Sequence, residues 1–216
     1  RMLFYNADGS AGEMCGNGAR CICRYGYENG LAGERQTVET PSGLVTGQRI
    51  DRRSYRIRLT DPTVIDLDRP VEALGRVWPC AYVELGSPGL PHAAVPCPGL
   101  SGKTMDDLRD LGRALRSHPA FPKGANVNFY DITAPDQIVE LTYERGVEDF
   151  TYACGTGTGS VVLALTLLGQ VSGEDVAVSV PGGTLRVTIA DRKAIWLTGP
   201  TNVVCQGEVL DEDLHM

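Results

Sequence analysis

The sequence predicts a strand-rich fold with few helices, built as two similar lobes, and three observations carry that expectation. Short segments rich in β-branched and aromatic residues recur between Gly and Pro punctuation. The turn Cys-Gly-x-Gly occurs twice, at Cys15-Gly16-Asn17-Gly18 and at Cys154-Gly155-Thr156-Gly157, each time ahead of a helical pattern. The second of these helices is apolar almost all round (Val161, Val162, Leu163, Ala164, Leu165, Leu167, Leu168), as suits a helix enclosed by a curved sheet.

Taken in order, a helix is expected over 19–28, followed by strands over 36–40, 44–50, 54–60 and 81–85. A surface helix is expected over 105–116, where Thr104 can cap the first turn, Asp106 and Asp107 suit its positive end, and Leu108, Leu111 and Leu115 recur at helical spacing. Strands over 126–132 and 137–143 lead to the central helix at 158–168, and further strands are expected over 176–180, 185–189, 194–197 and 203–209. Gly30 and Gly169 stand where a helix C-terminus asks for the left-handed conformation. A lobe boundary fits best at Asp61-Pro62, giving an N-terminal lobe at 1–61, a C-terminal lobe at 62–203 and a terminal strand in 204–216 that returns to the first lobe.

At 216 residues, 42% hydrophobic and 22% charged, the chain has the composition of a folded protein rather than a disordered one. A net charge of −7 and the absence of any basic run argue against nucleic acid as a partner. The longest apolar stretch, 160–168, is far short of the ~20 residues that cross a bilayer, so no membrane association and a cytoplasmic location are expected. Seven cysteines are too sparse for a secreted disulfide scaffold and are read as reduced thiols. The chain opens at Arg1 without Met, directly into a strand-like run, and an earlier segment is expected.

A cysteine at a helix N-terminus lies beside unsatisfied backbone N–H groups and the positive end of the dipole, which favour its thiolate and also bind anions. Two such termini can grip one carboxylate while each sulfur faces its α-carbon. One sulfur then removes the α-proton and the other delivers a proton from the opposite face, inverting the centre without a cofactor. A single Cys-Gly-x-Gly is more often just a tight turn; two of them change that balance. Cys21, Cys23, Cys80, Cys97 and Cys205 read as packing or surface residues. Cys21-x-Cys23 lacks zinc spacing and His92, His118 and His215 are scattered, so no metal is expected.

The runs Asn6-Ala7-Asp8-Gly9-Ser10 and Met14-Cys15-Gly16-Asn17-Gly18-Ala19-Arg20-Cys21 closely resemble the first signature of the diaminopimelate epimerase family. Tyr143-Glu144-Arg145-Gly146-Val147-Glu148-Asp149, ending in Ala153-Cys154-Gly155-Thr156-Gly157-Thr158, resembles the second. Phe121-Pro122, Asn126-Val127-Asn128, Pro181-Gly182-Gly183 and Gly199-Pro200 match lesser landmarks in order. The family's opening Gly-x-x-Asn-Asp-Phe motif is absent. The resemblance implies two pseudo-symmetric α+β lobes, each a curled, mostly antiparallel sheet around a central helix, with Cys15 and Cys154 as the catalytic pair in the cleft between them.

It also implies that Asn6, Asn126 and Arg145 hold the distal carboxylate of the substrate and Glu144 its ammonium, while the amides of Gly16, Asn17, Gly155 and Thr156 grip the reacting carboxylate. Ser87, ahead of His92, stands where the family more often has Asn in a compact Gly-Asn-Pro-His, and Phe150 stands where relatives usually carry an acid. These three residues are expected near the distal pocket. The expected activity is cofactor-independent conversion of LL- to meso-diaminopimelate, acting on a small amino-acid substrate, with a homodimer compatible. Racemisation of another amino acid such as histidine, or a non-catalytic amino-acid-binding or redox-sensing role, are the alternatives.

Overall fold

The computed structural model describes residues 1–5, 9, 11, 12 and 14–207. Two short strands, β1 (Phe4–Tyr5) and β2 (Ala11–Gly12), pair antiparallel ahead of helix α1 (Gly16–Glu28). Three antiparallel strands follow, β3 (Arg35–Thr40), β4 (Gly43–Arg49) and β5 (Ser54–Arg58), then β6 (Pro62–Ala73), β7 (Arg76–Leu85) and β8 (Leu90–Pro96). Helix α2 (Met105–Arg116) precedes β9 (Asn126–Ala134), β10 (Gln137–Glu144) and the short β11 (Asp149–Thr151). Helix α3 (Gly155–Leu167) and strands β12 (Val176–Val180), β13 (Gly183–Ala190) and β14 (Ala194–Pro200) complete the described chain.

Apart from the β1–β2 pair, the strands form one sheet in the order β3-β4-β5-β14-β13-β12-β10-β9-β8-β7-β6, with β11 added beside β10. Its pairs are antiparallel except β10–β12 and β8–β9. The sheet runs unbroken past Asp61-Pro62 because β5 pairs with β14. This is a sheet-dominated α+β fold with three α-helices among the described residues, as expected.

Helix α3 lies in the core: Val161, Val162, Leu163, Ala164 and Leu165 have no measurable exposure and pack with Leu59, Val83, Val187 and Ile195 from surrounding strands. A second core forms on the other face, where Leu108, Leu111 and Leu115 of α2 meet Tyr82, Val127, Phe129 and Tyr143. The Thr104 cap forms as a full capping box with Asp107. Gly30 and Gly169 adopt φ of 67° and 70° and close α1 and α3 with the same pair of bonds: Gly30 N to Tyr27 O and Leu31 N to Gly26 O, and Gly169 N to Thr166 O and Gln170 N to Leu165 O.

Three differences from the sequence reading have physical causes. Both Cys-Gly helices begin at the glycine directly after the cysteine, three residues earlier than expected, because each cysteine is itself the N-cap in an extended conformation. Strands β6 and β8 form where the sequence shows no strand pattern. β6 is an edge strand whose Pro62, Pro70, Asp66 and Arg69 interrupt the apolar alternation, and pairing with β7 shifts register twice along it. The strand expected from Val203 does not form over 203–207, where Val203 and Val204 stand exposed, and 208–216 lie outside the described residues. No described helix is long and apolar enough to cross a membrane.

Leu163 anchors the enclosed helix. Leu163→Ala is expected to cost about 2–5 kcal/mol, read as a lower urea midpoint at unchanged slope.

Candidate active site

The two Cys-capped termini meet. A Cβ placed on Gly16 would lie 3.7 Å from the Cα of Gly155, and the reciprocal Cβ on Gly155 lies 3.7 Å from the Cα of Gly16. Leu197 of β14 is wedged beneath both, its Cδ2 at 3.3 Å from the Gly16 position and 2.7 Å from the Gly155 position. A side chain at position 155 would push Leu197 aside, whereas at position 16 a Cβ would meet it only tightly. The Asn17 side chain ties the halves further: its Nδ2 donates to Ala153 O at 3.3 Å, and its Oδ1 accepts from Arg20 Nη2 at 2.8 Å.

At the first terminus the half-buried Cys15 Sγ accepts a hydrogen bond from the Gly18 amide at 3.3 Å. At the second, Cys154 is buried and its Sγ lies 3.6 Å from Thr156 Oγ1. Burial, and then the negative field of Glu144, push the Cys154 thiol up to about 12, against the smaller opposing pull of Thr156 and the Gly157 amide. These surroundings disfavour the Cys154 thiolate.

Beside Cys154 opens a cavity of about 200 Å³ whose polar wall is Asn126, Glu144, Arg145, Cys154 and Thr156. Phe4, Met14 and Leu90 supply its apolar wall, with Met14 standing next to Cys15. Arg145 is anchored without a carboxylate partner: its amide donates to Asn126 Oδ1 at 2.8 Å and its Nη1 to Lys123 O at 3.0 Å. Asn126 Nδ2 in turn donates to Pro91 O at 3.3 Å. Neither Glu144 nor Arg145 forms an ion pair among the described residues, so a carboxylate and a guanidinium stand side by side on the cavity wall without a charged partner.

The remaining expected site residues are placed as follows. Gly16 and Asn17 lie in the first turn of α1, Gly155 and Thr156 in that of α3. His92 sits one register step from the cavity, opposite Asn126, fully buried with both ring nitrogens unpartnered; burial and the nearby Arg145 push it down to about 3, so it is neutral. Ser87 is exposed in the β7–β8 turn, away from the cavity wall. Phe150 faces the other core, edge-on to Tyr143 with ring centroids 5.5 Å apart and 6.2 Å from Phe129. Asn6 lies outside the described residues.

Phe4, Met14 and Leu90 escaped the sequence reading because an apolar wall carries no chemical signature. Glu140 also escaped it, though an acid at an inward position of the 137–143 alternation was a visible anomaly. Cys21 and Cys205 are exposed, and Cys23, Cys80 and Cys97 are buried in packing positions. Among the described residues no group of three or more His, Cys, Asp or Glu is placed to hold a metal.

Solved structures share this architecture. A probable proline racemase from Agrobacterium radiobacter K84 superposes with a TM-score of 0.68 at 22% identity, over 98% of this chain and 72% of that one. A phenazine biosynthesis protein of the PhzF family from Enterococcus faecalis superposes at 0.67 and 13% identity, over 96% and 77%. At these identities the likeness defines a fold class, shared by racemase-like and PhzF-like proteins. The sequence comparisons go further. A family model described as diaminopimelate epimerase matches residues 1–62 and 86–204. The diaminopimelate epimerase of Aquifex aeolicus is 36% identical over 217 residues, covering 98% of this chain and 75% of that protein. That of Methanothrix thermoacetophila is 36% identical over 221 residues, covering 99% and 76%. The chain belongs to the diaminopimelate epimerase family, and it is an isomerase of the epimerase and racemase type.

Because Cys154 is enclosed and its thiolate is disfavoured, iodoacetamide at pH 7 is expected to label it far more slowly than the exposed Cys21 and Cys205. Peptide mass spectrometry of the folded protein reads this directly; equal labelling would contradict the burial of the thiol.

Proposed function

We propose that this protein converts LL-diaminopimelate to the meso form without a cofactor, using Cys15 and Cys154 as a pair of proton carriers on opposite faces of one α-carbon. The observation that supports this reading is the contact between the two Cys-capped helix termini, next to an unpaired Glu144 and Arg145. Adjoining positive helix ends ask for one shared anion. The amides of Gly16, Asn17, Gly155 and Thr156 would receive the carboxylate on the reacting carbon and stabilise the charge that develops there as the α-proton leaves.

In one direction the Cys15 thiolate takes the α-proton and the Cys154 thiol donates its own proton to the opposite face. The product leaves a Cys15 thiol and a Cys154 thiolate, which is the starting state for the reverse reaction, so no net proton is gained or lost. Burial of Cys154 favours the resting state in which it holds the proton. Arg145, with its guanidinium fork, and Asn126 would hold the distal carboxylate, and Glu144 the distal ammonium.

Cys15→Ala and Cys154→Ala are each expected to lower epimerisation by at least about 10²–10⁴-fold, since each removes an obligatory acid–base group. Turnover in heavy water should place deuterium at the α-carbon of the product. Substantial residual epimerisation in either variant, or product without solvent deuterium, sinks the two-base assignment.

Arg145→Lys is expected to raise KM for diaminopimelate and to lower kcat, because a point charge on a flexible stem does not reproduce a two-pronged grip and misplaces the α-carbon between the sulfurs. If wild-type protein turns over histidine but not diaminopimelate, the substrate assignment falls and the proton-transfer scheme stands.

A further inference from the structure

Glu140 is the most deeply buried acid among the described residues, with no measurable exposure, and the chemistry described above does not use it. It lies on the face of β10 that points at α3, in line with Ile138, Thr142 and Glu144, while Val139, Leu141 and Tyr143 face the other core. The same strand face therefore carries one acid into the substrate cavity and another beneath the catalytic helix. Its Oε2 accepts a hydrogen bond of 2.5 Å from Thr158 Oγ1, and its Oε1 is buried without a partner. Thr158 stands one helical turn after Cys154 and donates its amide to Cys154 O at 2.9 Å. Thus a single side chain connects Glu140 to the turn that presents the sulfur.

The groups facing Glu140 offer no compensating charge. From α3 they are Thr158 and Cys154, from β9 the directly opposite Tyr130, and along its own strand Glu144. Strand β12 pairs with β10 only at 137–139 and brings Ala177, Val178 and Ser179. None of these is a cation. A carboxylate in such a place has lost its water and found no counter-ion, which favours the neutral acid. Burial accordingly pushes Glu140 up to about 8, with the Thr158 bond opposing. A negative charge on Glu140 acts in turn on Cys154, in the sense that disfavours its thiolate.

We propose that Glu140 is a positioning residue for the Cys154 half-site: as a neutral acid it anchors the first turn of α3 through Thr158, and on ionising it withdraws that half-site from proton transfer. The proposal rests on the assignment of Cys154 as a proton carrier. Its consequence is an alkaline limit on activity set by a group that never touches substrate. At pH values where the carboxyl is neutral, the helix end serves only the substrate carboxylate and the Cys154 sulfur. As the carboxyl ionises, a fixed negative charge beneath the turn disfavours the Cys154 thiolate.

The test compares wild type, Glu140→Gln and Thr158→Val across pH 6.5–9.5, after melting curves confirm that each variant folds. Two readouts are taken: kcat and KM for diaminopimelate, and the rate of Cys154 alkylation by iodoacetamide resolved by peptide mass spectrometry. Glutamine keeps an acceptor for Thr158 but cannot ionise. Glu140→Gln is expected to raise the ratio of kcat at pH 9 to kcat at pH 7 by up to about tenfold, the equivalent of one pKa unit at Cys154. It should speed Cys154 alkylation at pH 9 in the same sense while leaving KM nearly unchanged. Thr158→Val, which breaks the anchor but keeps the acid, is expected to lower kcat at every pH and not to relieve the alkaline fall.

Superimposable pH profiles for wild type and Glu140→Gln in both readouts would overturn the proposal. A faster Cys154 alkylation in Glu140→Gln, together with a wild type inactive on diaminopimelate, would uphold the effect on the thiol and overturn the substrate reading instead.

Discussion

The structure depends on one close contact, the approach of two helix N-termini at Gly16 and Gly155. It is unfavourable taken alone, because two positive dipole ends and two sets of unsatisfied N–H groups are brought together. What holds it is packing beneath the termini: Leu197 fills the space under both glycines, the enclosed helix α3 is fixed by the sheet around it, and Asn17 reaches across to Ala153. The rigid core imposes an arrangement whose electrostatic cost an anion relieves.

The alternation of strand β10 organises what lies next to that contact. One face carries Ile138, Glu140, Thr142 and Glu144 towards α3 and the cavity, the other carries Val139, Leu141 and Tyr143 into the second core. Because β11 pairs Phe150 with Tyr143, Phe150 follows Tyr143 away from the cavity. Phe150 is thereby a packing residue. Polar groups on the cavity face are in turn held by backbone acceptors, as with Asn126 on Pro91 and Arg145 on Lys123, which orients them before any ligand arrives.

Charge is distributed unevenly across the two half-sites. Cys154 is enclosed and faces the negative fields of Glu144 and Glu140, whereas Cys15 is half-buried and receives the Gly18 amide on its sulfur. The proposed two-base reaction, which needs one thiol and one thiolate, would be served by such asymmetry, since two sulfurs in equal surroundings would have no preferred resting state. His92, neutral and unpartnered opposite Asn126, adds no charge to this balance.

By itself the sequence determined the local chemistry: both Cys-Gly-x-Gly turns, the enclosed apolar helix, the Thr104 cap and the glycine stops at Gly30 and Gly169 all follow from interactions within a few residues. Through its resemblance to a family it also singled out Glu144, Arg145, Asn126 and Thr156, which line one cavity in the structure. The tertiary structure alone decided that Gly16 and Gly155 touch, that Ser87 and Phe150 stay clear of the cavity while Phe4, Met14 and Leu90 wall it, and that Glu140 is buried beneath Cys154. Edge strand β6 and strand β8 belong to the same group, since their pairing partners rather than their own alternation make them strands. Each of these depends on which distant strand packs against which helix, and a contact between residues far apart in the chain leaves no periodic trace in the chain itself.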